Sequence, residues 1–115
     1  MMKYSILLFI FLYINLSQAG LPGGWHEVDL SNPQQQFQQA IQFSKENFVS
    51  DCKLENLNSS VQLQNVIKAS YQIVAGTNYK IVFKTDHYSE STLTVKVFAS
   101  LPDNGKVSYS ITECF

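Results

Sequence analysis

The stretch IKASYQIVAGTNYKIVF, residues 67–83, decides the fold. Ile67, Ala69, Tyr71 and Ile73 alternate with Lys68, Ser70 and Gln72, the period of two expected of a half-buried strand. Beyond Gly76, Tyr79, Ile81 and Phe83 repeat the pattern against Lys80, Val82 and Lys84. Two such runs joined by so few residues form an antiparallel hairpin. Its turn is unusually apolar, since Ile73, Val74 and Ala75 precede the glycine. Parity makes Ile73 the end of the buried strand, puts Ala75 at the tip and leaves Gly76 to make the turn. Gln72 and Val74 fall on the outward parity, where they can touch a partner.

Downstream, Thr85 to Ser91 is polar and reads as a turn. Leu93, Val95, Val97 and Ala99 alternate as a further strand, and Val107, Tyr109 and Ile111 as the last. Asp103-Asn104-Gly105 supplies turn chemistry between them.

Upstream, the period lengthens to that of a helix. Phe37, Ala40, Ile41, Ser44 and Phe48 fall on one stripe, while the glutamines, Lys45 and Glu46 mostly face elsewhere, as a solvated surface. Phe43 lies off the stripe. Asn32 is the expected cap, Pro33 suits the first turn, and Gln35 could complete a capping box. The helix is expected to end near Phe48. Trp25 to Leu30 alternates loosely, as a short first strand. The order strand, helix, four strands predicts an α+β domain, a five-stranded antiparallel sheet wrapped around one long helix.

The N-terminus carries a different signal. Lys3 precedes the apolar run Ile6 to Ile14, and Ser17-Gln18-Ala19 puts small residues before a cleavage point. Residues 1–19 therefore read as a secretory signal peptide; an uncleaved membrane anchor is the alternative, disfavoured because the run is short. Gly20 to Phe115 would be the mature domain, located extracellularly or in the endolysosomal lumen. Gly20-Leu21-Pro22-Gly23-Gly24 lacks periodicity and reads as a flexible arm. Cys52 and Cys114 would travel to an oxidising compartment, where one disulfide between them is the simplest reading. Two free thiols or pairing between chains are the alternatives. Asn58-Ser59-Ser60 is a glycosylation sequon.

Composition and motifs exclude more than they assign. Eight basic residues, all lysine, face nine acids, without the clustered basic face of a nucleic-acid binder or the basic amphipathic helix of a membrane binder. His26 and His87 are the only histidines, and neither has a second ligand at metal spacing. Asp86 and Glu90 flank His87 in a polar turn, as exposed charge. No glycine-rich phosphate loop follows a strand. No enzyme, metal or cofactor is expected. Binding is.

Three separated segments point to a partner. Gly23-Gly24, Gln72-Ile73-Val74-Ala75-Gly76 and Leu101-Pro102 follow the order of a near-N-terminal glycine, a Q-x-V-x-G hairpin loop and a proline-bearing second loop. In this the chain resembles the cystatins, reversible inhibitors of papain-like cysteine proteases, across nearly all of its mature length. The resemblance implies a wedge of the arm and both loops that fills the protease's active-site cleft. Leu21 and Pro22 would occupy the non-primed subsites. Gly23 would turn the chain away before a peptide bond meets the catalytic cysteine, and the hairpin tips would fill the primed side. Binding would be competitive and reversible, by a monomer.

The likeness has departures. Secreted cystatins usually carry Pro-Trp in the second loop, whereas Asp103 follows Pro102 here. Val97-Phe98-Ala99-Ser100-Leu101-Pro102 looks more like the intracellular stefins, which lack signal peptides and disulfides. Typical secreted members have two disulfides, and this chain offers at most one. The blander reading makes Gly23-Gly24 a linker and Leu101-Pro102 a strand stop. The competing function is a non-inhibitory secreted binding or host-defence protein on the same fold.

Overall fold

The computed structural model describes residues 24–115. The expected leader, Leu21, Pro22 and Gly23 lie outside the described residues. Five strands and one helix follow in the order β1 (Trp25–Glu27), α1 (Gln35–Asp51), β2 (Gln62–Val74), β3 (Gly76–Asp86), β4 (Thr92–Ala99) and β5 (Tyr109–Cys114). The strands form a single antiparallel sheet in chain order, β1 to β5. This is the α+β arrangement that the alternating runs predict.

The core lies between the helix and one face of the sheet. Tyr79, Ile81 and Phe83 of β3 and Leu93, Val95, Val97 and Ala99 of β4 are buried there, at the parity read from the sequence. Phe37, Ala40, Ser44 and Phe48 of α1 close over them, with Ile41 half-buried beside them. Ser44 is tolerated in this layer because its hydroxyl donates to the Ala40 carbonyl at 2.9 Å. Phe43, off the main stripe, packs toward β5, its ring centroid 6.0 Å from that of Tyr109.

The helix begins later than expected. Asp29 accepts from both the backbone N–H (3.0 Å) and the hydroxyl (2.6 Å) of Ser31, closing a turn that the Asn32 N–H completes onto the Asp29 carbonyl. Those bonds also hold the Asp29 carboxyl below its ordinary pKa, the hydroxyl most of all. The turn displaces the cap from Asn32 to Gln34, which makes no side-chain cap hydrogen bond, so no capping box forms at Gln35. At the other end α1 runs past Phe48 to Asp51, and the Cys52 N–H donates to the Phe48 carbonyl at 2.9 Å.

Two of the helix glutamines face the sheet rather than solvent alone. Tyr79 donates its hydroxyl to Gln36 Oε1 and Tyr109 to Gln39 Oε1, both at 2.7 Å. These bonds let two tyrosines sit under the helix with their hydroxyls satisfied.

Bulges in the sheet correct the simple alternation. The β2–β3 register slips between Leu63 and Val66 and again between Val66 and Lys68, each time with an extra residue on β2. The inward side chains are therefore Leu63, Val66 and Ala69, and Ile67 is turned out and is 48% exposed. That corrects the inward placement its parity suggests. A third slip, between Lys96 and Val97, leaves Thr112 of β5 as the extra residue. It pairs both Ile111 and Cys114 with inward-facing partners, Val97 and Val95, although the two are three residues apart. Cys114 consequently meets Cys52 below the helix end, and the two form a disulfide with Cα atoms 5.5 Å apart. Glu113 is left on the opposite face, 3.3 Å from Lys96.

Candidate functional site

The register brings three segments to one end of the sheet. Trp25, the first residue of β1, pairs with Gln72; Val74 pairs with Gly76 around the first hairpin; Thr77 pairs with Ala99, the last residue of β4. Gly24, Ala75 and Leu101 therefore leave the sheet at the same end. Leu21, Pro22 and Gly23, predicted to precede Gly24 in the site, lie outside the described residues.

The first hairpin is as tight as a chain permits, with Ala75 alone between the strands. Gly76 makes this turn with φ at +121°, a backbone conformation that L side chains rarely adopt. Space excludes a side chain as well: a Cβ there would lie 2.5 Å from the Ala99 carbonyl oxygen and 2.7 Å from the Phe98 ring. Gln72 and Asn78 face each other two pairs back, and the Asn78 amide donates to Gln72 Oε1 at 2.9 Å. That bond braces the base of the tip.

Two apolar side chains flank the tip in the open. Val74 is 40% exposed on the outward parity, as expected, but Ile73 is 49% exposed and does not finish a buried strand. The reason is coverage. The helix packs on β3, β4 and β5, so the end of β2 has no lid. Ile73 instead borders a groove of about 450 Å³ between the hairpin, the Asp29 turn and the start of α1. Thr77, Tyr71, Phe37, Glu27 and Asp29 share its wall. Sequence parity could not reveal this groove, because it depends on where the helix begins.

The second hairpin pushes its own apolar residue outward. Ser100 donates its N–H to the Ser108 carbonyl at 2.9 Å, and Asp103 and Lys106 exchange two backbone bonds at 2.8 and 3.0 Å. Leu101 and Pro102 lie between these pairs, opposite Val107 alone. Proline has no N–H to give the ladder, so the longer side bows out and leaves Leu101 61% exposed. Asn104 and Gly105, with φ of 54° and 76°, make the two-residue turn that the sequence predicts.

Trp25 belongs neither to the core nor to the tip. It lies on the helix-free face, with Lys80 Nζ 4.6 Å and Lys96 Nζ 5.8 Å from its ring centroid. His26 stacks beside Tyr71 with centroids 5.3 Å apart, and His87 sits in the β3–β4 turn at φ 62°. No group of three metal-binding side chains occurs among the described residues, and no helix there is long and apolar enough to cross a membrane. The Asn58 sequon is exposed in the loop between α1 and β2, at the end of β2 remote from Val74, with Asn58 Oδ1 accepting from the Ser60 N–H.

Comparison of the chain with protein families, with curated proteins and with solved structures finds no match.

Proposed function

We propose that this chain is a secreted, reversible and competitive protein inhibitor of papain-like cysteine proteases, similar in fold and action to the cystatins. One observation carries the reading: Gly24, the Val74–Gly76 tip and Leu101-Pro102 converge at one end of the sheet, with Val74, Ile73 and Leu101 exposed there. Those are the segments that the sequence resemblance nominates. Exposed apolar side chains at the end of a rigid sheet suit insertion into a cleft, because their burial is favourable and the backbone is already ordered.

In this reading the tip and Leu101 fill one side of the cleft, while Leu21 and Pro22 reach the other. Gly23 turns the arm aside, so no peptide bond is presented to the nucleophile. Nothing covalent forms or breaks. Leu101 supplies part of the burial that a tryptophan would give in the second loop. The disulfide fits export to an oxidising compartment, which supports secretion.

The test is direct inhibition. The chain from Gly20, refolded with its disulfide, should inhibit papain or a cathepsin-L-like enzyme at nanomolar to low-micromolar concentration without being cleaved. No inhibition at about tens of micromolar, a Kd too weak for a specific inhibitor, sinks the proposal and favours a non-inhibitory binding protein on this fold.

A further inference from the structure

β2 is the longest strand, and its outer edge is only partly covered. β1 pairs with Ser70, Tyr71 and Gln72, and the Val28 N–H adds one bond to the Ala69 carbonyl before the chain turns away at Asp29. Among the described residues no strand lies beside residues 62–68 on that side. Ile67 is 48% exposed there. An edge with unpaired backbone groups and an exposed apolar side chain is a template for another chain. Its own guards are few: two bulges and, between Gln62 and Ala69, the single charge of Lys68.

The sequon lies at the head of this edge. Asn58, Ser59 and Ser60 are all exposed, and the Val61 N–H donates to the Asn58 carbonyl at 3.1 Å, so their turn runs straight into Gln62. At a rise of about 3.3 Å per residue, the uncovered stretch is only about 20 Å long. Asn58 Oδ1 accepts from both the N–H and the hydroxyl of Ser60. The carboxamide is thus held by its oxygen, while among the described residues Nδ2 has no hydrogen-bond partner. A sugar on Nδ2 leaves Oδ1 an acceptor, so the turn survives the modification.

We propose that Asn58 carries an N-linked oligosaccharide that guards the uncovered edge of β2 against pairing with a second copy of the chain. The donor is a polyprenyl-diphosphate-linked oligosaccharide. Nδ2 bonds to its anomeric carbon, and the carbon–oxygen bond to the diphosphate breaks. The diphosphate leaves with the electron pair, and one Nδ2 proton passes to a base of the transferase. The glycan stands at the far end of β2 from Val74, roughly 40 Å of strand away, and leaves the candidate site open. This rests on the secretion in the reading above and is independent of protease inhibition.

The experiment expresses the full chain in eukaryotic secretory cells and compares the parent, Ser60→Thr, Ser60→Ala and Ser60→Ala/Ile67→Lys. Parent and Ser60→Thr from the medium should lose mass on treatment with peptide N-glycosidase, and Ser60→Ala should not. By sedimentation velocity Ser60→Ala should self-associate at about tenfold lower concentration than the parent. Ile67→Lys in that background should return it to the parent's behaviour. A secreted parent without a removable glycan overturns the proposal and leaves secretion standing; a chain that stays in the cytosol overturns both. Equal self-association of parent and Ser60→Ala, or association that Ile67→Lys does not relieve, overturns the guarding role. None of these outcomes depends on whether papain is inhibited.

Discussion

Gly76 lies so close beneath β4 that a side chain on it would run into the Ala99 carbonyl oxygen, 2.5 Å from a Cβ. The tip of the first hairpin and the start of the second are therefore packed backbone to backbone. Gly76→Ala must strain φ and push β4 away, which should cost roughly 2–4 kcal/mol. Thermal melting should show a drop of about 10 °C or more. Gly105→Ala is the control: its φ is +76°, but nothing lies within 4 Å, so strain alone should cost about 1 kcal/mol. Equal losses at the two sites would mean that the close approach to Ala99 contributes nothing.

The Cys52–Cys114 disulfide joins the helix end to the last strand across a sequence separation of 62. In the chain-entropy model such a closure stabilises the fold by about 4 kcal/mol. Cys52→Ser/Cys114→Ser should lower the urea midpoint by about 2 M, given the slope usual for a domain of this size. The parent protein treated with a thiol reductant should reach the same midpoint. An unchanged midpoint in the double variant would remove the disulfide from the account of stability.

Burial beneath the helix pushes the Tyr79 phenol up to about 12, with smaller contributions from Tyr109 and Tyr71. The unfolded chain loses that proton near pH 10. Between about pH 10 and 12 the unfolded state thus binds fewer protons than the native one, and stability falls as pH rises. Below that window Tyr79 leaves stability independent of pH. Absorbance at about 295 nm, where tyrosinate is read, should show a late-titrating phenol that Tyr79→Phe removes, and the variant's alkaline stability loss should be shallower. Burial also raises Tyr109, so the variant should keep some alkaline sensitivity.

Much of the fold was legible because two strands obey strict alternation. Tyr79, Ile81 and Phe83, then Leu93, Val95, Val97 and Ala99, are buried as their parity requires. Legibility failed wherever one extra residue interrupts the period. Ile67 and Cys114 each sit beside such a bulge, and each faces the opposite way from what counting by two gives. The helix start failed for a different reason: the Asp29 carboxylate took Ser31 in a local turn before Asn32 could act as a cap.

The candidate site divides in the same way. Gly76, Leu101 and Pro102 could be singled out because glycine and proline carry backbone constraints that need no tertiary context. Ile73 could not be read correctly, since its exposure depends on the helix leaving the end of β2 uncovered. Gln36 and Gln39 looked like solvated helix surface, and only the folded sheet brings the Tyr79 and Tyr109 hydroxyls to them. Trp25 opened only a loosely alternating run, and that run carried no sign of its partners, which are lysines two and three strands away.

The disulfide also decides what a protease can do to this chain. Residues between Cys52 and Cys114 form a covalent ring, and both turns of the candidate site, at Ala75 and at Leu101-Pro102, are inside it. One cut in either turn opens the ring but releases no fragment, so the severed ends stay tethered beside the strands they belong to. The segment before Trp25 is outside the ring. A cut there separates it for good and leaves the two hairpins in place.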